Sequence, residues 1–80
     1  MLRVPAPTNV LELGRAVRAA RRDLDLSQEA LAARAGLHPN QVGRLERGTN
    51  VQIATLLAVV DGLGVGLAEL GRRYDARRRA

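Results

Sequence analysis

The apolar positions of this 80-residue chain recur at helical intervals, and no useful stretch alternates with the period of two that a strand requires. In "TNVLELGRAVRAARRDL", Val10, Leu13, Val17, Ala20 and Leu24 fall within one arc of roughly 80° at about 100° per residue. This predicts a first helix over about 10–23, with Asn9 and Glu12 spaced as a capping box. Arg15, Arg18 and Arg22 lie on the far side of that helix, a solvated face, whereas Arg21 sits at the border of the apolar stripe. A second helix over about 28–35 is announced by Ser27 as N-cap and stopped by Gly36, with Leu31, Ala32 and Ala35 facing inward. Pro39 at a first helical position opens a third over about 39–47, which Gly48 ends. "IATLLAVVDGLG" puts Ile53, Leu56, Leu57, Val60 and Leu63 on one broad face of a fourth helix. "VGLAELGRRY" makes a short fifth helix with Leu67 and Leu70 apolar. The reading is an all-α domain of five short helices. Residues 1–8 form an N-terminal arm, 9–71 the domain, and 72–80 a basic C-terminal tail, disordered in the free protein.

Composition sharpens this picture by exclusion. With no Phe or Trp and Tyr74 the only aromatic, the core must be built from Leu, Val, Ile and Ala. The absence of Cys rules out disulfides and thiolate metal sites, and the single His38 cannot make a zinc site alone. Neither a metal nor a cofactor is expected. No visible motif pairs two carboxylates, so an enzyme is a poor reading. No apolar run approaches about 18 residues, and the N-terminus lacks a secretory core, so the expected compartment is the cytoplasm.

Charge turns the argument toward nucleic acid. The net charge is +5, and every one of the 13 basic residues is Arg. Arginines cluster in residues 1–22 and 72–80, while the middle of the chain is mildly acidic. The guanidinium fork is suited to phosphate and guanine.

The third helix then poses a problem. "HPNQVGRLERG" contains only two clear core-formers, Val42 and Leu45. Opposite them, Asn40, Arg44 and Arg47 share the outer face, with Gly43 between as a side-chain-free window. An amide and two guanidinium forks are groups that read adenine, guanine and phosphate. Two short helices joined through a glycine corner form the helix-turn-helix pattern, and the outer face of its second helix is suited to the major groove of double-stranded DNA.

The stretch "LSQEALAARAGLHPNQVGRLERG", followed by an apolar helix and "LGV", resembles the Cro/CI-type (Xre) helix-turn-helix family of phage repressors and bacterial regulators. Ala32, Gly36, Val42 and the Leu45-Glu46-x-Gly48 ending sit at that family's spacing, and the likeness covers about residues 10–70. It implies a compact five-helix, phage-repressor-like fold with the third helix in the major groove. It implies base-facing roles for His38, Pro39, Asn40 and Arg44, and phosphate contacts from Ser27, Gln28, Gln41, Arg47 and Asn50. His38 reads first as an N-cap or turn residue and second as a DNA contact. Pro39 departs from the family, because it has no group to bond a base edge. The connector "TNVQ" lacks the basic residues often found there. The resemblance also implies an ion pair between Arg21 and Glu46, each at the border of its helix's apolar face. It leaves Leu67 and Leu70, with Tyr74 beside them, either closing the core or forming a dimer contact.

The leading expectation is therefore a sequence-specific transcriptional regulator, a repressor or autoregulator acting as a homodimer on a pseudo-palindromic operator. The alternative is an antitoxin or other interaction module whose main partner is a protein, such as a toxin or a polymerase subunit.

Overall fold

The computed structural model describes residues 8–49 and 52–79. Five helices follow one another: α1 (Thr8–Asp23), α2 (Gln28–Ala35), α3 (Pro39–Glu46), α4 (Ile53–Leu63) and α5 (Leu67–Arg79). No strand is present among the described residues. Small side chains let these short helices pack closely. Ala16, Val17 and Ala20 of α1, Leu31 and Ala32 of α2, Val42 and Leu45 of α3, Val59, Val60 and Leu63 of α4, and Leu70 of α5 close a single core.

Two glycines set the geometry of this packing. A Cβ on Gly14 of α1 would collide with the Leu45 carbonyl oxygen and stand 2.8 Å from that of Glu46. The missing side chain therefore lets α1 lie directly against the last turn of α3. Gly36 ends α2 in the left-handed region at φ 70°, where a side chain is strained, and turns the chain into α3.

Several expectations change. Asn9 and Glu12 form no capping box. The helix already runs from Thr8, Asn9 accepts a bond from the Val10 amide at 2.7 Å, and Glu12 pairs with Arg15 and Arg77. Leu24 lies beyond the end of α1 and is exposed. On α4 the inward arc is rotated toward Val59, which leaves Ile53 70% and Leu57 43% exposed.

The largest difference is at the C-terminus. The helix does not stop near Tyr74 but continues to Arg79, so residues 72–79 are not a disordered tail. Nothing in "RRYDARRR" breaks a helix, and Glu69 precedes Arg72 and Arg73 at favourable spacings. The closing arginines also complement the negative end of the helix dipole. Two bridges then fasten α5 to α1: Arg73 to Asp23 at 2.9 Å and Arg77 to Glu12 at 3.2 Å.

Candidate nucleic-acid interface

The helix-turn-helix is fixed at its corners by its own polar residues. Ser27 accepts the Ala30 amide at 2.9 Å and starts α2. His38 is the N-cap of α3: its Nδ1 accepts the Asn40 amide at 3.1 Å. Gln41 completes a capping box, its Oε1 accepting the His38 amide at 3.0 Å. Pro39 stands in the first turn, where no amide proton is needed. These bonds occupy the side-chain acceptors used in capping. The Ser27 hydroxyl hydrogen, the far ring nitrogen of His38 and the Gln41 amide NH2 are not used in them.

Behind α3 lies a polar hub. Arg21 donates from Nε to Glu46 Oε2 at 2.6 Å and from Nη2 to Glu46 Oε1 at 3.0 Å. Both residues are buried, with 9% and 6% of their surface exposed. A third Arg21 bond reaches the Leu26 carbonyl at 2.8 Å, and the Gln28 side chain donates to Glu46 at 3.1 Å. A buried charge needs this degree of pairing to persist in the folded state. The hydrogen bond to Glu46 raises the Arg21 pKa above its ordinary value, against the opposing effect of burial. The hub joins α1, the α1–α2 turn, α2 and α3, and so orients the recognition helix from behind.

The outer face of α3 carries Asn40 and Arg44, both exposed, and Arg47 just past its end is exposed as well. The window expected at Gly43 is closed. Gly43 is buried, with Arg47 Nη1 and the Gln28 amide lying over the place a Cβ would take. Close backbone approach is permitted instead by Gly14, which faces the α3 carbonyls, and by Gly48, where a Cβ would stand 2.8 Å from the Leu11 Cα. Gln28 sits beside this corner with its amide turned inward to Glu46, a link that spacing on the chain does not reveal. Asn50 lies outside the described residues.

The proposed assembly residues separate into two kinds. Leu70 is only 1% exposed and belongs to the core, so it cannot be a contact. Its position one helical turn from Leu67 concealed this, because α5 crosses α1 and buries only one side. Leu67 is 55% exposed. With Asn9, Val10, Leu13, Leu56 and Tyr74 it lines an apolar groove of about 250 Å³.

Comparison with known proteins agrees with this geometry. The model of the helix-turn-helix family HTH_3 matches residues 17–70. The chain therefore belongs to this family, the Xre/Cro-CI type, and is a DNA-binding transcriptional regulator. Among solved structures it is similar to the restriction-modification controller protein C.AhdI from Aeromonas hydrophila, with 34% identity, 79% of this chain and 97% of that chain covered, and a TM-score of 0.74. It is also similar to the clp gene regulator ClgR from Corynebacterium glutamicum, at 28% identity, 94% and 81% coverage, and a TM-score of 0.82. A mutant of the controller protein C.Esp1396I shares the fold at 19% identity, 89% and 91% coverage, and a TM-score of 0.83. No curated protein matches the sequence. No single described helix is long and apolar enough to cross a membrane.

Proposed function

We propose that the protein is a homodimeric repressor or autoregulator that lays α3 in the major groove of a pseudo-palindromic operator. The observation that carries this reading is the two-sided construction of α3. Its rear is fastened through Glu46 to Arg21, while Asn40 and Arg44 stand free on the outside one turn apart. Asn40 can bond adenine N6 and N7 together, and Arg44 guanine O6 and N7. His38 can offer only its far ring nitrogen, and Pro39 packs against the groove without reading it. Ser27, Gln28, Gln41 and Arg47 form the phosphate-contacting flank. Gln28 then divides its amide between Glu46 and a phosphate, so that backbone contact and helix orientation are linked.

One recognition helix reads too few base pairs for genomic specificity, and a two-fold pair reads half-sites about 10 base pairs apart. Exposed Leu67, with the half-buried Tyr74 beside it, supplies the apolar surface for that contact. The likeness to restriction-modification controllers and to a clp gene regulator supports a regulator acting beside the genome, in the cytoplasm of a bacterial cell, and a binding role in place of catalysis.

The test is fluorescence anisotropy of Arg44→Ala and Arg47→Ala on an operator obtained by selection from random duplexes, and on a scrambled control, across a salt series. Arg44→Ala loses about 1–3 kcal/mol on the operator and relaxes one base position. Arg47→Ala weakens both duplexes alike and lowers the salt slope by about one. Equal losses on both duplexes for Arg44→Ala would make it a phosphate clamp.

A further inference from the structure

The positive charge of this protein does not lie mainly on its helix-turn-helix. Residues 8–23 and 67–79 hold nine of the 13 arginines and four of the eight acidic residues, whereas residues 24–66 hold three arginines and four acids. Helices α1 and α5 therefore form a basic slab on a domain whose recognition unit is nearly neutral.

Within the slab, Arg15, Arg18, Ala19, Arg22, Asp23 and Arg77 line a groove of about 450 Å³. The acids beside it are already engaged: Asp23 with Arg73, and Glu12 with Arg15 and Arg77. Arg18 and Arg22 are exposed, and neither has a carboxylate within ion-pair distance among the described residues. They stand four residues apart on one face of α1, where like charges disfavour a helix. Ala19 between them leaves the groove floor open. No residue of α2 or α3 contributes to this groove.

We propose that the groove between α1 and α5 docks an acidic helical segment of a partner protein, with carboxylates four residues apart seated on Arg18 and Arg22. Arginine forks bind carboxylates through paired, charge-assisted bonds. Arg18 and Arg22 stand one turn apart on α1, the same separation along a helix as two carboxylates four residues apart on an opposing one. The shape favours a peptide over a second duplex. Two packed helices lie about 8–10 Å apart, so their groove admits a chain segment, whereas the broad convex duplex would ride on the rims.

The probe is a labelled alanine-glutamate helical peptide with Glu at four-residue spacing, followed by anisotropy against the full chain, with a labelled random-sequence duplex measured in parallel. The peptide binds in a salt-sensitive manner, and still binds when the chain is saturated with duplex. Arg18→Ala/Arg22→Ala weakens peptide binding by about tenfold or more while duplex binding changes by less than about threefold. Arg44→Ala/Arg47→Ala shows the reverse pattern. Circular dichroism confirms that both variants stay folded, as expected for exposed side chains, and Arg18→Lys/Arg22→Lys keeps partial peptide affinity because charge survives without the fork. A wild-type chain that ignores the peptide overturns the proposal. So do displacement of the peptide by duplex and equal losses on both probes in Arg18→Ala/Arg22→Ala, which would make the groove a DNA surface.

Discussion

Replacing Glu46 with glutamine keeps the shape of the hub and removes its charge. The carboxylate uses both oxygens as acceptors: Oε2 faces Arg21 Nε, while Oε1 faces Arg21 Nη2 and the Gln28 amide. A glutamine has only one oxygen. If its NH2 takes the Oε2 position, two donors meet where the wild-type distance is 2.6 Å. If it takes the Oε1 position, it meets two donors at once, from Arg21 and Gln28. Either way the Arg21 guanidinium is left buried without a counter-charge, which costs about 3–5 kcal/mol. A domain of this size has about 4–12 kcal/mol in total. At about 4 °C or more per kcal/mol, Tm falls by at least about 12 °C. Thermal melting followed at the helical dichroism band measures this, with Arg21→Met/Glu46→Leu as the control. That double variant removes both charges, and its loss is expected to be much smaller than that of Glu46→Gln. Because the Arg21 pKa is raised above an already high value, the stability it contributes is lost only on passing that value, and it stays in place throughout ordinary pH. A Glu46→Gln variant melting within about 2 °C of the parent would refute the reasoning.

Further outcomes separate the roles of neighbouring positions. Gly14→Ala gains about 1 kcal/mol of helix propensity but drives a methyl into the α3 carbonyls at a cost of about 1–3 kcal/mol, so a net loss of up to about 2 kcal/mol appears in denaturant titration. Gly43→Ala meets only the movable ends of Arg47 and Gln28, and is neutral or stabilising by up to about 1 kcal/mol in the same assay. If the proposed dimer forms through Leu67, Leu67→Asp abolishes self-association in sedimentation experiments while leaving the dilute melting curve in place, since this side chain is exposed. The hydrogen bond from Arg72 holds the Glu69 carboxyl below the usual carboxylate range. The stability from this pair is thus present above the ordinary value and lost as pH falls through the lowered one, and an NMR titration shows Glu69 returning upward in Arg72→Ala.

The helices were legible because their stop and start signals are local. Ser27, Gly36 and Pro39 act within a turn of where they stand, so α2 begins and ends where the sequence places it. The outward set Asn40 and Arg44 was legible for the same reason, since Val42 and Leu45 fix the inward direction of one short helix. What escaped depends on partners distant in the chain. Gly14 is unremarkable until α3 lies against it, and Glu12 seems a cap until Arg77 arrives from 65 residues away. The burial of Leu70, the exposure of Ile53 and the covering of Gly43 likewise follow from how helices cross, which periodicity along one helix does not contain. The ordered end of α5 could have been anticipated from the Glu69–Arg73 spacing and the absence of breakers.

Tyr74 gives the molecule a built-in optical reporter. It is the sole aromatic residue in the chain, it lines the groove beside Leu67, and the Arg78 guanidinium lies 5.8 Å from its ring centre. Ultraviolet emission from the unlabelled protein therefore comes from one address alone. Occupation of that groove by a second subunit would alter the ring's solvation and its cation neighbour, whereas events on the outer face of α3 have no chromophore there to register them. Assembly and operator capture can thus be timed independently in one stopped-flow cell, the first through native tyrosine light and the second through a dye on the duplex.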